Sequence, residues 1–204
     1  MKQSKYIQSI IKHKNPHLDT LLKEEALRND VCPSIGPDTG NLIYFLIQLI
    51  QATKVIEFGT CLGYSTIWLA ESLEKTNGQL TSIEASTRLV KETLDNLKKA
   101  GLTHRVNIIE GRAEEILNTL QGPFDLILQD AAKEIYLPML NTCVAKLRPG
   151  GLLLSDDVLF PIKQVRKRQK NLINAYNNAL VNHPDLETII LPLGDGIAVS
   201  MKKY

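Results

Sequence analysis

The feature that most restricts the fold of this chain is an alternation of short, nearly all-apolar runs with stretches of helical periodicity. The runs are Lys54–Phe58, Gln79–Glu84, Arg105–Glu110, Phe124–Gln129, Gly151–Ser155, Glu187–Leu191 and Gly196–Met201. Several of them, such as VIEF, FDLIL and GLLLS, are apolar at consecutive positions, as strands covered on both faces must be. Helical patterns fill the gaps at Tyr64–Lys75, Ser86–Ala100, Ala113–Leu120, Ile135–Leu147 and Lys163–Val181, with Gly101 placed to end the second. This order predicts βαβ units and a doubly wound α/β fold around a seven-stranded, mostly parallel sheet. The link Pro192–Gly196 is too short for a crossover helix, so the last two strands should pair as an antiparallel hairpin. Three helices are expected ahead of the first strand, at Lys2–His13, Leu18–Asn29 and Pro37–Gln51, the third opened by Pro37 and Asp38. They form an N-terminal helical cap (1–51) on a cofactor-binding core (52–204), in one domain.

With 44% hydrophobic residues the chain can bury a sizeable core. Its longest apolar stretch, Leu42–Ile50, is broken by Gln48 and is far short of a bilayer span. The N-terminus carries charges every few residues and lacks an apolar h-region, so neither membrane nor export is expected. Cys32, Cys61 and Cys143 are scattered, with no CxxC pair, which fits a reducing compartment, the cytoplasm, and excludes a disulfide framework. The net charge of +2 conceals an asymmetry. Nine basic residues lie in two acid-free segments, residues 1–18 (Lys2, Lys5, Lys12, Lys14) and 158–184 (Lys163, Arg166, Lys167, Arg168, Lys170). The rest of the chain carries 15 basic against 22 acidic side chains.

The segment Val55–Ser65 reads strand, glycine loop, helix. Gly59 and Gly63 allow close backbone approach to a ligand where the carboxyl edge of the sheet opens. The spacing is GxxxG, whereas a dinucleotide site would show GxGxxG. Glu57 opens the loop with a charge that repels phosphate and suits an ammonium-bearing ligand. Glu84 closes the next strand 21 residues beyond Gly63, where an acid typically binds ribose hydroxyls. A ligand with a ribose and no phosphate is implied, and S-adenosylmethionine fits. Taken singly, the glycine pair also reads as an ordinary turn and Glu84 as a solvated strand end.

Two further strands end in acids, Asp130 and the pair Asp156-Asp157, which a parallel sheet brings to the same edge. Converging carboxylates repel unless a cation compensates them, and oxygen-only donors favour Mg²⁺ or Ca²⁺, with Mn²⁺ a further choice. Lys133 stands three residues past Asp130, close enough to face that site. Loop starts or helix caps account for the aspartates equally well one at a time, and Lys133 alone reads as a solvated lysine. Val165, Leu172, Ile173, Tyr176 and Leu180 fall on one helical face, which docks that helix on the body. Its lysines and arginines form either a solvated face or the footprint of a polyanion. Trp68 is expected in the core.

Six motifs carry a resemblance to a known family: SIGPDTG (34–40), VIEFGTCLGYSTIWLA (55–70), IEAS (83–86), FDLILQDAAKEIY (124–136), LRPGGLLLSDDVLF (147–160) and LPLGDGIAVS (191–200). Over Ser34–Met201 the chain resembles the cation-dependent O-methyltransferases, the group of catechol and caffeoyl-CoA O-methyltransferases. The resemblance implies a Rossmann-like class I methyltransferase fold, S-adenosylmethionine as cofactor and a homodimer. It places Glu57 by the cofactor's amino group, Ser65 by its carboxylate and Glu84 on the ribose. Gly111, Arg112 and Ala113 would border the adenine, and Asp130 would lie near cofactor as well as metal. Asp130 and Asp156 match metal ligands, and Lys133 matches the general base. Asp157 stands where the family usually has Asn, keeping an oxygen donor and adding charge, and Ala132 stands where an acid is common. The implied reaction is metal-assisted methylation of one of two neighbouring oxygens, as in a catechol or other small phenol. Residues 173–203 also resemble bacterial enzymes that methylate 5-hydroxyuridine in tRNA, although the segment after Phe160 is shorter here. A non-catalytic nucleotide-binding module and a dehydrogenase are the alternatives from other classes.

Overall fold

A computed structural model describes residues 2–11 and 15–204, with side chains from Tyr6 onward. The strands are β1 (Lys54–Phe58), β2 (Gln79–Glu84), β3 (Val106–Glu110), β4 (Phe124–Gln129), β5 (Leu147–Ser155), β6 (Leu186–Leu191) and β7 (Ile197–Lys202). They form one sheet in the order β3-β2-β1-β4-β5-β7-β6, parallel from β3 to β5. The antiparallel β7 lies between β5 and β6 and pairs with both. The expected α/β class, sheet size and C-terminal hairpin are therefore present.

Helices alternate with the strands as α4 (Tyr64–Leu73), α5 (Thr87–Ala100), α6 (Ala113–Thr119), α7 (Tyr136–Lys146) and α8 (Lys167–Val181). They are preceded by α1 (Lys2–Ile10), α2 (His17–Glu25) and α3 (Gly36–Leu49). The expected first helix ended at His13, and residues 12–14, including the basic Lys12 and Lys14, lie outside the described residues. The central strands are apolar on both sides because helices cover both. Val55, Leu126, Leu128, Leu152 and Leu154 face one core, while Ile56, Phe58, Ile127 and Leu153 face the other. Helix α4 has nine buried residues, Trp68 among them at 0% exposure, because it packs against α2 and α3 as well as the sheet. A helix covered this way needs no polar face.

Three boundaries differ from expectation by four residues each. Helix α2 ends at Glu25 and not at Asn29, because the chain tightens there into 3-10-type bonds, Leu27 N–H donating to Glu24 O (3.0 Å) and Arg28 N–H to Glu25 O (3.1 Å). Helix α8 begins at Lys167, since Arg166 is extended (ψ 140°) and Pro161 sits in a short 3-10 turn, Phe160–Ile162. Val165 thus lies ahead of the helix, and Ile173, Tyr176 and Leu180 dock it. Strand β5 begins at Leu147 because a register shift against β4 absorbs Pro149-Gly150-Gly151 between the pairs Phe124–Leu147 and Leu126–Leu152. Among the described residues no helix is long and apolar enough to cross a membrane.

Candidate active site

The carboxyl ends of the parallel strands stay in register for one residue past each strand. The N–H of Gly59 donates to Ile83 O (2.9 Å), Gly111 to Glu84 O (2.9 Å), Asp130 to Phe58 O (3.1 Å) and Asp156 to Gln129 O (3.1 Å). The loops that carry the expected site residues therefore leave the sheet in one row, at the edge where ligands bind in such folds.

In the loop after β1, Gly59 and Gly63 are both left-handed, with φ of 86° and 88°. A Cβ on Gly59 would lie 2.3 Å from the Asp130 carbonyl oxygen, so only glycine lets the loop cross the end of β4 this closely. Glu57 is fully buried. Its carboxylate accepts from Ser65 Oγ, from Thr66 Oγ1 (2.8 Å) and from Ser82 Oγ (2.8 Å), tying β1 to β2 and to the first turn of α4. Burial pushes its pKa up to about 7 despite these three donors, with nearby Asp130 acting in the same direction. Glu57 and Ser65, expected beside the amino and carboxylate groups of a cofactor, are thus bonded to each other. Glu84 accepts from Thr60 N–H (2.9 Å) and Cys61 N–H (3.3 Å) through one oxygen, and from Ser86 N–H (2.9 Å) through the other. It anchors the glycine loop at the end of β2. Gly111, Arg112 and Ala113 lead from β3 into α6; Ala113 is buried, and the Arg112 side chain turns outward onto Glu114. Residues 59–65 contain no basic side chain, as befits a ligand without phosphate.

One strand further along the sheet, Asp130, Asp156 and Asp157 bring carboxylate oxygens within 4.8 Å of one another. Asp157 holds φ 64°, a left-handed conformation that Asp and Asn tolerate better than most residues. Lys133, 9% exposed, reaches into the cluster, with Nζ 2.7 Å from Asp157 Oδ2 and 3.6 Å from Asp130 Oδ1. Burial lifts Asp130 to about 6 and Asp156 well above its ordinary value, and the mutual repulsion of the aspartates adds to both. For Lys133 burial works against the ammonium, yet the oxygens of Tyr136, Asp130 and Asp157 outweigh it and hold the pKa above the usual lysine range.

Sequence patterns give no role to Tyr136, which is buried against Lys133, or to Thr66 and Ser82, which satisfy Glu57. Tyr136 ends the FDLILQDAAKEIY motif; the two hydroxyls carry no spacing that marks them. Beside the aspartates a cavity of about 290 Å³ is lined by Pro33, Ser34, Ile35, Gly36, Asp156, Asp157, Gly194 and Asp195. Its walls come from the segment before α3, the end of β5 and the β6–β7 turn. Lys163 closes onto this rim through Asp195 (2.9 Å), and Arg168 pairs with Glu134 (3.2 Å) next to Lys133.

Comparison with known proteins identifies the family. The family model described as O-methyltransferase matches residues 8–203. A catechol O-methyltransferase of Niastella koreensis is 34% identical over 185 residues, covering 83% of this chain and 82% of that protein. Caffeoyl-CoA O-methyltransferase 1 of Eucalyptus globulus is 29% identical over 177 residues, 79% of this chain and 72% of its own. Among solved structures, an O-methyltransferase from Bacillus cereus in complex with SAH superposes with a TM-score of 0.86 at 25% identity, over 98% of this chain and 96% of that one. With the family shown, the non-catalytic and dehydrogenase alternatives are set aside. The chain belongs to the O-methyltransferase family, in its cation-dependent group, and is an S-adenosylmethionine-dependent O-methyltransferase.

Proposed function

We propose that this enzyme methylates one of two neighbouring oxygens on a small phenolic acceptor such as a catechol, at a divalent-cation site formed by Asp130, Asp156 and Asp157. The observation that carries the reading is the convergence of these three carboxylates beside the cavity. The donor set fits a hard cation: it is all oxygen, it is partly buried, and its repulsion is relieved only in part by the single charge of Lys133. When bound, Mg²⁺ (or Mn²⁺ or Ca²⁺) would supply Lewis acidity towards the acceptor oxygens, and S-adenosylmethionine supplies the sulfonium methyl group. Glu57 and Ser65 would shape the loop under the amino-acid end of the cofactor, Gly59 and Gly63 giving it room. Glu84 would bind the ribose, and Gly111, Arg112 and Ala113 would border the adenine. Asp130 would stand between cofactor and acceptor. Lys133 would take the acceptor's proton at Nζ once the charge of the aspartates is offset, and the remaining residues orient the pair for in-line transfer. The names of the Niastella and Eucalyptus relatives support the acceptor class.

A second acceptor, 5-hydroxyuridine in tRNA, is favoured by the exposed Arg166, Lys167 and Arg168 at the start of α8. It is weakened by the pairing of Lys163 and Arg168 with acids. Cytoplasmic work as a homodimer completes the reading, in keeping with three free cysteines. A methyl-transfer assay with a catechol panel and with unmodified or hydroxylated tRNA, in Mg²⁺ or excess chelator, tests it. Catechol turnover should vanish in chelator and change little between 50 and 200 mM salt. Full activity in chelator would defeat the metal reading. A preference for tRNA, with affinity falling by roughly 10³-fold over that salt range, would favour the second acceptor.

A further inference from the structure

Lys133 reaches the acid cluster on a flexible four-carbon stem, yet the stem is not free to wander. Its Nζ donates to the hydroxyl of Tyr136 at 2.9 Å and lies 4.7 Å from the centroid of the same ring. The Tyr136 hydroxyl in turn donates to the carbonyl oxygen of Gln129 (2.8 Å), with that of Asp156 3.3 Å away. Those carbonyls belong to the last residue of β4 and the first residue past β5, the same two strand ends that present Asp130 and Asp156. The ring itself is wedged edge-on against Tyr176, with centroids 5.2 Å apart, and Tyr176 is bonded to Ser155 Oγ (2.6 Å) and Gln129 Oε1 (3.2 Å). Tyr136 has 0% exposure, so it cannot touch an acceptor.

We propose that Tyr136 is a positioning residue for methyl transfer, its hydroxyl and ring holding Nζ of Lys133 in fixed register with the carboxylates of Asp130 and Asp156. The inference rests on the proposed reading that Lys133 faces the acceptor, and it is carried by the Nζ–Tyr136 contact and by the bonds that fix Tyr136 to both strand ends. The hydroxyl has one proton, which goes to Gln129 O, so towards Lys133 it serves as an acceptor. Without it the amine loses one of its anchors and drifts among rotamers, and a displacement of about 1 Å at a reacting group costs on the order of 10²-fold in rate.

The test compares Tyr136→Phe, Lys133→Met and the double variant in steady-state methyl transfer to a catechol with saturating Mg²⁺, with S-adenosylmethionine binding followed by titration calorimetry. Phe keeps the packing on Tyr176. We expect kcat of Tyr136→Phe to fall at least tenfold, KM and affinity for S-adenosylmethionine to stay within about twofold, and the double variant to match Lys133→Met alone. Wild-type kcat in Tyr136→Phe, or losses that multiply in the double variant, would overturn the proposal. If Lys133→Met is slow and Tyr136→Phe is not, only the positioning role falls. Wild-type kcat in Lys133→Met removes the proton-acceptor reading and this inference with it. Should Tyr136→Phe not fold, Tyr136→4-aminophenylalanine keeps an N–H donor for Gln129 O while offering Lys133 a poor acceptor. It carries the same expectation, and wild-type kcat there is equally fatal.

Discussion

Glu57 in β1 and the three aspartates beyond β4 and β5 are acids at one edge of one sheet, but they are stabilised in opposite ways. Glu57 is surrounded by neutral donors, the hydroxyls of Ser65, Thr66 and Ser82, and contributes a fixed internal knot. The aspartates share the ammonium of Lys133 and retain excess negative charge. A carboxylate satisfied by hydroxyls has no need of a ligand, whereas carboxylates that repel one another are poised to take a cation. The difference separates a carboxylate that holds the glycine loop in shape from carboxylates placed to take a cation.

The largest effect should come from breaking the aspartate side. Asp156→Ala is expected to lower metal-dependent turnover by about 10³-fold, the several kcal/mol that Lewis acid assistance supplies, while calorimetric binding of S-adenosylmethionine changes little. Equal loss of cofactor affinity would show that the two regions are not separable.

Breaking the Glu57 side should instead appear in stability. Its pKa is pushed up to about 7 by burial, so the folded chain binds this proton more tightly than the unfolded chain. Its contribution therefore declines as pH rises from the ordinary carboxylate value towards 7, and levels off above. Glu57→Gln should flatten that decline, with a gain over wild type growing to about 3 kcal/mol, or roughly 6–12 °C in Tm, above pH 7. Thermal melts at pH 5 and 7.5 measure it, and parallel curves for the two proteins would contradict it.

A smaller effect sharpens the electrostatic contrast. Lys133→Met removes the charge that now compensates Asp157, and should tighten Mn²⁺ binding by about tenfold in calorimetry even as turnover falls. Weaker binding would mean that Lys133 supports the cation site rather than competing with it.

Much of the site was legible in the sequence because strand ends are legible. FDLILQ followed by Asp130, and GLLLS followed by Asp156 and Asp157, place acids where parallel strands stop, and the sheet edge does the rest. The start of α8 was not legible: Val165 continues the apolar stripe, but the segment ahead of the helix is held by Pro161 and by the Lys163–Asp195 pair, which periodicity cannot register. Thr66 and Ser82 as partners of Glu57 were not legible for a similar reason, since Ser82 meets it only through strand pairing.

By itself the sequence determined the alternation of elements, the glycine loop with Glu57 and Glu84, and the acids ending β4 and β5, because apolar periodicity and glycine spacing are local properties. Tertiary structure alone decided that Glu57 is sealed by Ser65, Thr66 and Ser82, and that Lys133 leans on Tyr136 within the aspartate cluster. Whether a charge meets a hydroxyl, a cation or another charge depends on which strands become neighbours, and that is settled only when the sheet assembles.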